Sequence, residues 1–341
     1  MISEIELRKN YLKKKTLESI YFGGGTPSIL SEEDLINLFN KINSTFKVPE
    51  SVEITLEGNP EDLSVKKLKF YKEIGINRLS IGIQSFKDED LIFMNRAHNS
   101  RQAKKCVIDA KKVGFNNISV DLIYSLPNQK LHDWEENLKE TFKLGIQHIS
   151  AYSLTIEEKT NLNYLITTRK ISELEDVASS NHFNILVDKC QKKGFIQYEI
   201  SNFSKKGFIS RHNSAYWLGK EYLGIGPSAH SYNGKSRSWN ISSNKNYIES
   251  IQKGVLPFEK EDLSQDEIYN DYIMTSLRTI WGVDLDFIKQ SFGQKYYTHL
   301  NQETQKWLHN GQIILESGKI YLSMKGKYIS DNICADLFIT D

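Results

Sequence analysis

Gly23, Gly24 and Gly25 follow directly on the apolar run Ile20, Tyr21 and Phe22, and Thr26 and Pro27 end the stretch. Three glycines at a strand end serve a backbone that takes positive φ or lies against a ligand. Their free N–H groups can meet phosphate, carboxylate or nothing. Glu57 with Asn59, Gln84, Asp121, and Tyr152 with Ser153 stand at comparable points further on, each closing a short apolar run, and Arg96 lies between Gln84 and Asp121. Any one of them is more often a turn or cap residue than a ligand contact. As a set they suit one kind of ligand. Glycine N–H groups fit a carboxylate, Glu57 and Asp121 fit an ammonium or ribose hydroxyls, and Gln84 and Arg96 can hold a polar head group. An amino acid joined to a nucleoside would use all of them.

A second group lies at 198–232. After Tyr198 to Phe203, read as one strand, come Arg211, His212, Asn213, Tyr216 and Trp217, then a glycine-rich stretch from Tyr222 through Gly224 and Gly226 to His230 and Ser231. The bland alternative is an aromatic core loop whose histidines bond to carbonyls. Packed glycines, two histidines, Trp and Tyr instead favour a pocket wall for a flat apolar ring with acidic edges, and imidazole is a common axial heme ligand. Arg211 and Lys220 could meet such acidic edges, although each reads first as a solvated surface charge.

The elements that must position these residues alternate. A charged helix over 4–18 leads into the glycine corner. A helix from 31 to 46 follows, opened by a capping-box pattern at Ser31 to Asp34. The alternating stretch 51–57 reads as a strand. Then come a helix over 64–74 closed by Gly75, a strand over 78–83, a helix over 102–113 closed by Gly114, and a strand over 117–124. A helix over 134–144 closed by Gly145 and a strand over 148–154 complete the series. Five strand–helix units in succession imply a parallel sheet, with functional residues beyond the carboxyl ends of its strands.

Composition narrows the field. The 341 residues carry 44 Lys and Arg against 43 Asp and Glu, a net charge of +1, so there is no field to recruit nucleic acid non-specifically. With no membrane-length apolar run and no signal peptide at the start, the cytoplasm is the expected location. Cys106, Cys190 and Cys334 are scattered, which argues against a disulfide framework or a local metal knuckle.

Several motifs together resemble the radical S-adenosylmethionine proteins of the oxygen-independent coproporphyrinogen III oxidase-like group, and within it the HemW-type heme chaperones. They are Gly-Gly-Gly-Thr-Pro at 23–27, Glu-Gly-Asn-Pro at 57–60, Arg-Leu-Ser-Ile-Gly-Ile-Gln-Ser-Phe at 78–86, Val-Asp-Leu-Ile-Tyr-Ser-Leu-Pro at 120–127, and Ser-Ala-Tyr-Ser-Leu-Thr at 150–155. The resemblance runs from the first helix to the C-terminus. It implies an α/β fold: a partial (β/α)6 barrel lacking its first strand over 1–200, an extension over 201–257, and a C-terminal winged-helix-like α+β domain over 258–341. It also implies that Gly24, Gly25, Thr26, Glu57, Gln84, Arg96 and Asp121 contact S-adenosylmethionine, with the backbone near Tyr152 and Ser153 closing the site. The His-Asn-x2-Tyr-Trp pattern resembles the one that distinguishes the chaperones, so His212, with Tyr216 and Trp217, is the expected heme contact and His230 an alternative.

Two departures qualify the resemblance. The family carries a Cys-x3-Cys-x2-Cys loop whose thiolates hold a 4Fe–4S cluster, and the three cysteines here lack that spacing, so no metal ligands are expected in this chain. Either the sequence lacks the family's start or it is a natural variant that does not build the cluster in the family's way; the first reading is preferred, because the residues that would serve S-adenosylmethionine are all retained. Reductive cleavage of S-adenosylmethionine is not expected from it. The smaller departure is Ser125, where the family usually has glycine.

From Phe258 the texture changes to helices over 268–280, after Gly282 and over 298–310, a hairpin over 311–323, and a last helix to Leu337. With no Arg-rich recognition helix, packing or partner docking is expected of this part rather than DNA binding. The first reading is a binding protein, a heme chaperone with heme and a heme-acceptor protein as partners and a dimer as one admissible assembly. The second is an enzyme, coproporphyrinogen oxidation by 5′-deoxyadenosyl radicals.

Overall fold

A computed structural model describes residues 1–158, 160–168, 171 and 176–340. In chain order the elements are α1 (Ile2–Leu7), β1 (Ser19–Phe22), α2 (Glu32–Thr45), β2 (Glu53–Gly58), α3 (Val65–Glu73), β3 (Arg78–Gln84), α4 (Asp88–Phe93), α5 (Ser100–Val113), β4 (Ile118–Tyr124), α6 (Leu131–Lys143), β5 (His148–Ser153), α7 (Asn161–Thr167), α8 (Asp176–Lys192), β6 (Ile196–Glu199) and β7 (Asn202–Ser204). Then follow α9 (Arg211–Trp217), β8 (His230–Tyr232), β9 (Ser236–Asn240), α10 (Asn244–Gln252), β10 (Phe258–Asp262), α11 (Gln265–Leu277), β11 (Val283–Asp284), α12 (Leu285–Ser291), α13 (Gln294–His309), β12 (Ile313–Glu316), β13 (Lys319–Leu322), α14 (Met324–Lys327) and α15 (Ser330–Leu337). Residues 19–32 and 53–209 form one compact unit; 1–18, 33–52 and 210 onward form the other.

The first unit is built on a seven-stranded sheet in the order β1-β2-β3-β4-β5-β7-β6. β1 to β5 are parallel neighbours, as the strand–helix alternation requires, because parallel strands need a long return. β7 runs antiparallel to β5, and β6 antiparallel to β7, so the sheet stays open and forms a partial barrel. The register sorts the side chains by parity. Tyr21, Thr55 and Arg78 share one level of one face, Glu57 pairs with Ser80, Ser80 with Ser119, Ser119 with His148, and Asp121 with Ser150. That face is polar. The opposite parity carries Leu56, Leu79, Ile81, Val120, Leu122 and Ile149, all fully buried. Each such aliphatic side chain contributes about 1.5–3 kcal/mol relative to exposure. Helix α5 shows why the covering layer forms. Asn99 and Gln102 make a capping box, Ala103, Cys106, Val107 and Ala110 give a buried stripe at helical spacing, and Gly114 at φ 99° ends it.

Three expectations need correction. The helix expected over 4–18 is only α1; past Arg8 the chain turns, and Thr16 bridges to Lys47. Lys13, past the end of α1, pairs with Glu221 at 2.6 Å. The stretch read as alternating at 51–57 is buried on both faces within β2. The single strand expected over 198–203 is a β6–β7 hairpin, because Glu199 turns to accept a hydrogen bond from Ser201 N at 2.9 Å. The stretch 211–217, read as part of a pocket wall, forms helix α9, capped by Ser210.

The second unit holds two three-stranded antiparallel sheets, β10-β9-β8 and β11-β13-β12. β10 starts at Phe258 and pairs with β9 along its whole length. The order α11, β11, α12, α13, β12, β13 is that of a winged helix, with β11 added to the expected helices and hairpin. In the same unit Glu4 is fully buried. It accepts from Gly226 N at 2.8 Å, from Asn240 Nδ2 at 2.6 Å and from the Tyr247 hydroxyl, and Arg8 lies 3.6 Å away.

Candidate functional site

The glycine corner stands where β1 ends. Gly24 and Gly25 take φ of 72° and 60°, and nothing lies within 4 Å of where a side chain would start, so the backbone faces open space there. Gly23 is different. A Cβ on it would come within 2.4 Å of the Tyr21 ring and 3.0 Å of Glu57 Oε1. Thr26 is half-buried and starts the short turn Pro27–Ile29.

Glu57, near the end of β2, accepts a short hydrogen bond from the Tyr21 hydroxyl. Burial first, then the Glu57 charge, drive the Tyr21 pKa strongly upward, so Tyr21 stays a donor. Two residues on, Asn59 Oδ1 accepts from an Arg96 guanidinium nitrogen at 2.6 Å, and the same nitrogen reaches Gly82 O at 3.1 Å. Gly82 is needed here for space: a Cβ would meet Gln84 Nε2 at 3.0 Å and Arg96 at 3.4 Å. Gln84 itself has φ 67°, at an irregularity in the β3–β4 register that turns the strand end. Asp121 accepts from Ser80 Oγ at 3.3 Å on both oxygens. Burial pushes its pKa up to about 6, Ser150 and Arg78 oppose this, and the Glu57 charge adds to it. Tyr152 and Ser153 are exposed at the end of β5, and burial of the Tyr152 hydroxyl raises its pKa to about 12.

The sheet thus links Gly23 to Glu57, Glu57 through Ser80 to Asp121, and Asn59 through Arg96 and Gly82 to Gln84. Sequence reasoning missed Tyr21, Arg78, Ser80 and Ser150 as parts of this face. Their signal was parity: Thr55 and Glu57, Arg78 and Ser80, Ser119 and Asp121, and His148 and Ser150 recur at spacing two in neighbouring strands. Ser125 has φ 61°, the left-handed region that favours glycine, and its hydroxyl meets Ser179 Oγ at 2.8 Å.

In the second unit, α9 puts His212 and Tyr216 one turn apart with ring centroids 5.0 Å apart, edge to face, and Tyr216 meets Tyr222 in the same way at 4.5 Å. Tyr216 is 42% exposed and Trp217 half-buried. His230 is not part of that cluster; it opens β8 and lies 6.1 Å from the ring of Trp239. Arg211 donates to Ser51 O at 2.6 Å, and Lys220 pairs with Glu18.

Residues 3–141 match the Radical SAM superfamily, and residues 263–329 match the HemN C-terminal domain. The heme chaperone HemW of Bacillus subtilis is 34% identical over 93% of this chain and 84% of its own length. The chain belongs to the HemW family. HemW of Mycobacterium tuberculosis is 27% identical over 98% of the chain and 84% of the relative. The coproporphyrinogen III oxidase HemN of Escherichia coli, a radical SAM enzyme, shares the fold, with a TM-score of 0.84 at 20% identity over 99% of this chain and 81% of that one.

Membership implies S-adenosylmethionine and a 4Fe–4S cluster, and the two fit this chain differently. The open glycine backbone and the polar face suit the former. So do Arg96 Nε, Arg78 Nε and Thr55 Oγ1, which are buried without hydrogen-bond partners among the described residues. The cysteines do not suit the cluster. Cys106, Cys190 and Cys334 lie buried on α5, α8 and α15, and burial pushes the first two thiols up to about 12 and the third to about 11. Such thiols stay protonated, whereas cluster ligands are thiolates. Among the described residues no helix is long and apolar enough to cross a membrane.

Proposed function

We propose that this chain is a heme chaperone of the cytoplasm, which binds heme and passes it to an acceptor protein. The observation that carries this reading is the 34% identity to a HemW protein over 93% of this chain and 84% of that relative. The His212–Tyr216 face of α9 supplies what a porphyrin uses: an imidazole for the iron and an exposed aromatic ring for the macrocycle. His212 is assigned as the ligand and Tyr216 and Trp217 as ring contacts; His230, apart from them beside Trp239, is the weaker assignment.

On the first unit, S-adenosylmethionine is assigned to the polar strand ends. Gly24, Gly25 and Thr26 would offer backbone to its carboxylate, and Glu57, held by Tyr21, would take its ammonium. Arg96 and Gln84 would meet its polar parts, Asp121 would accept from a ribose hydroxyl, and Tyr152 and Ser153 would border the adenosine. When bound beside a cluster, this cofactor supplies radical chemistry; no such step is assigned to this chain.

Hemin titration followed at the Soret band tests the proposal. Saturable binding that weakens at least about ten-fold in His212→Ala and stays unchanged in His230→Ala is expected. Equal binding by His212→Ala removes the ligand assignment. Turnover of coproporphyrinogen III by protein carrying the family's cysteine loop would favour the enzyme reading instead. Sedimentation with and without hemin tests the dimer.

A further inference from the structure

A cavity of about 300 Å³ opens in the second unit, between the residues following α1 and the β8–β9–β10 sheet. Its walls include Leu7, Arg8, Tyr11, Ser238, Leu256 and Phe258, with Lys260 beside them and no carboxylate among the lining residues. None of the residues assigned above to heme or S-adenosylmethionine lines it.

Arg8 gives the cavity its character. It is 5% exposed, and its guanidinium lies 4.7 Å from the Tyr11 ring centre and 5.8 Å from that of Phe258. Its hydrogen bonds run to Gly224 O and Ser238 Oγ, both at 3.3 Å. A guanidinium has five donors in a fork that matches a carboxylate, so two bonds leave capacity for an anion. Glu4, its nearest counter-charge, does not line the cavity and already accepts from three neutral donors. The Tyr11 hydroxyl is buried with no hydrogen-bond partner of good geometry among the described residues, although Ser238 lies beside it. Arg8 and Lys260 act on that hydroxyl with Glu221 opposing them, and the spare guanidinium donors, the hydroxyl and the aromatic faces meet in one place. A bound acceptor would supply the well-aligned hydrogen bond that this buried hydroxyl lacks.

We propose that this cavity binds a small organic carboxylate on a flat apolar body. The carboxylate meets Arg8 and the Tyr11 hydroxyl, and the body lies against Leu7, Leu256 and Phe258. The volume is at the small end for ligand pockets and admits one or two fused rings.

Calorimetric titration of the full chain with naphthoate and with uncharged naphthamide tests the proposal. Naphthoate is expected to bind at least about ten-fold more tightly than naphthamide. Tyr11→Phe should weaken naphthoate several-fold, and Leu256→Trp, which fills the cavity from a half-buried loop position, should abolish its binding while leaving the thermal midpoint in place. These two variants spare Arg8, whose removal would strand Glu4 and could unfold the unit. Absence of naphthoate binding, equal affinity for the amide, or naphthoate binding unchanged in Leu256→Trp overturns the proposal.

Discussion

Gly23 and Gly25, two residues apart, need glycine for different reasons, and the difference is measurable. At Gly25 the φ of 60° is the constraint and the space beyond is open, so Gly25→Ala should cost about 1–2 kcal/mol of stability in chemical denaturation. At Gly23 a methyl group collides with Tyr21 and approaches Glu57. Gly23→Ala should therefore break the Tyr21–Glu57 bond and weaken S-adenosylmethionine binding, read by calorimetry, more than Gly25→Ala does. Asp121 makes a pH prediction. Its folded pKa of about 6 lies above the ordinary carboxylate value, so the folded state holds the proton more tightly than the unfolded chain. The stability this confers is complete below about pH 4 and lost as pH rises through about 6. Asp121→Asn should flatten that slope in urea midpoints taken across the window. A wild-type midpoint that rises relative to the variant's would contradict it.

Element α1 shows how six residues can matter through one side chain. Glu4 is enclosed by three donors from the β8–β9 region and α10, so Glu4→Ala leaves buried groups unpaired and should cost about 3 kcal/mol. Glu6, on the same helix, pairs with Lys9 and Lys41 at the surface, and Glu6→Ala should leave the denaturation midpoint where it was. The elements most legible in sequence were β2 to β5 and the helices closed by Gly75, Gly114 and Gly145, because apolar runs and positive-φ glycines are local signals. The elements least legible were α9 and the β6–β7 hairpin. Each is held by a side-chain contact, the Ser210 cap and the turn made by Glu199, that composition does not announce.

For the whole molecule, the distribution of thiols separates this chain from a cluster-bearing one. All three cysteines are buried with raised pKa values, so a thiol reagent should label none before unfolding and three after it. Rapid labelling of the native protein would contradict the burial and reopen the question of metal binding. The strand-end face lies wholly in one unit and the His212–Tyr216 cluster in the other.

The sequence alone determined the strand–helix order, the glycine corner and the family motifs, because each depends on residues within one turn or one strand end. It could not determine that Tyr21 would hold Glu57, that Ser80 would hold Asp121, or that Glu4 would be enclosed by residues more than 200 positions away. Those partners are set by register between strands and by which face of a sheet meets a helix. Both are decided only when distant segments bury their apolar sides together and the polar groups left inside must find each other.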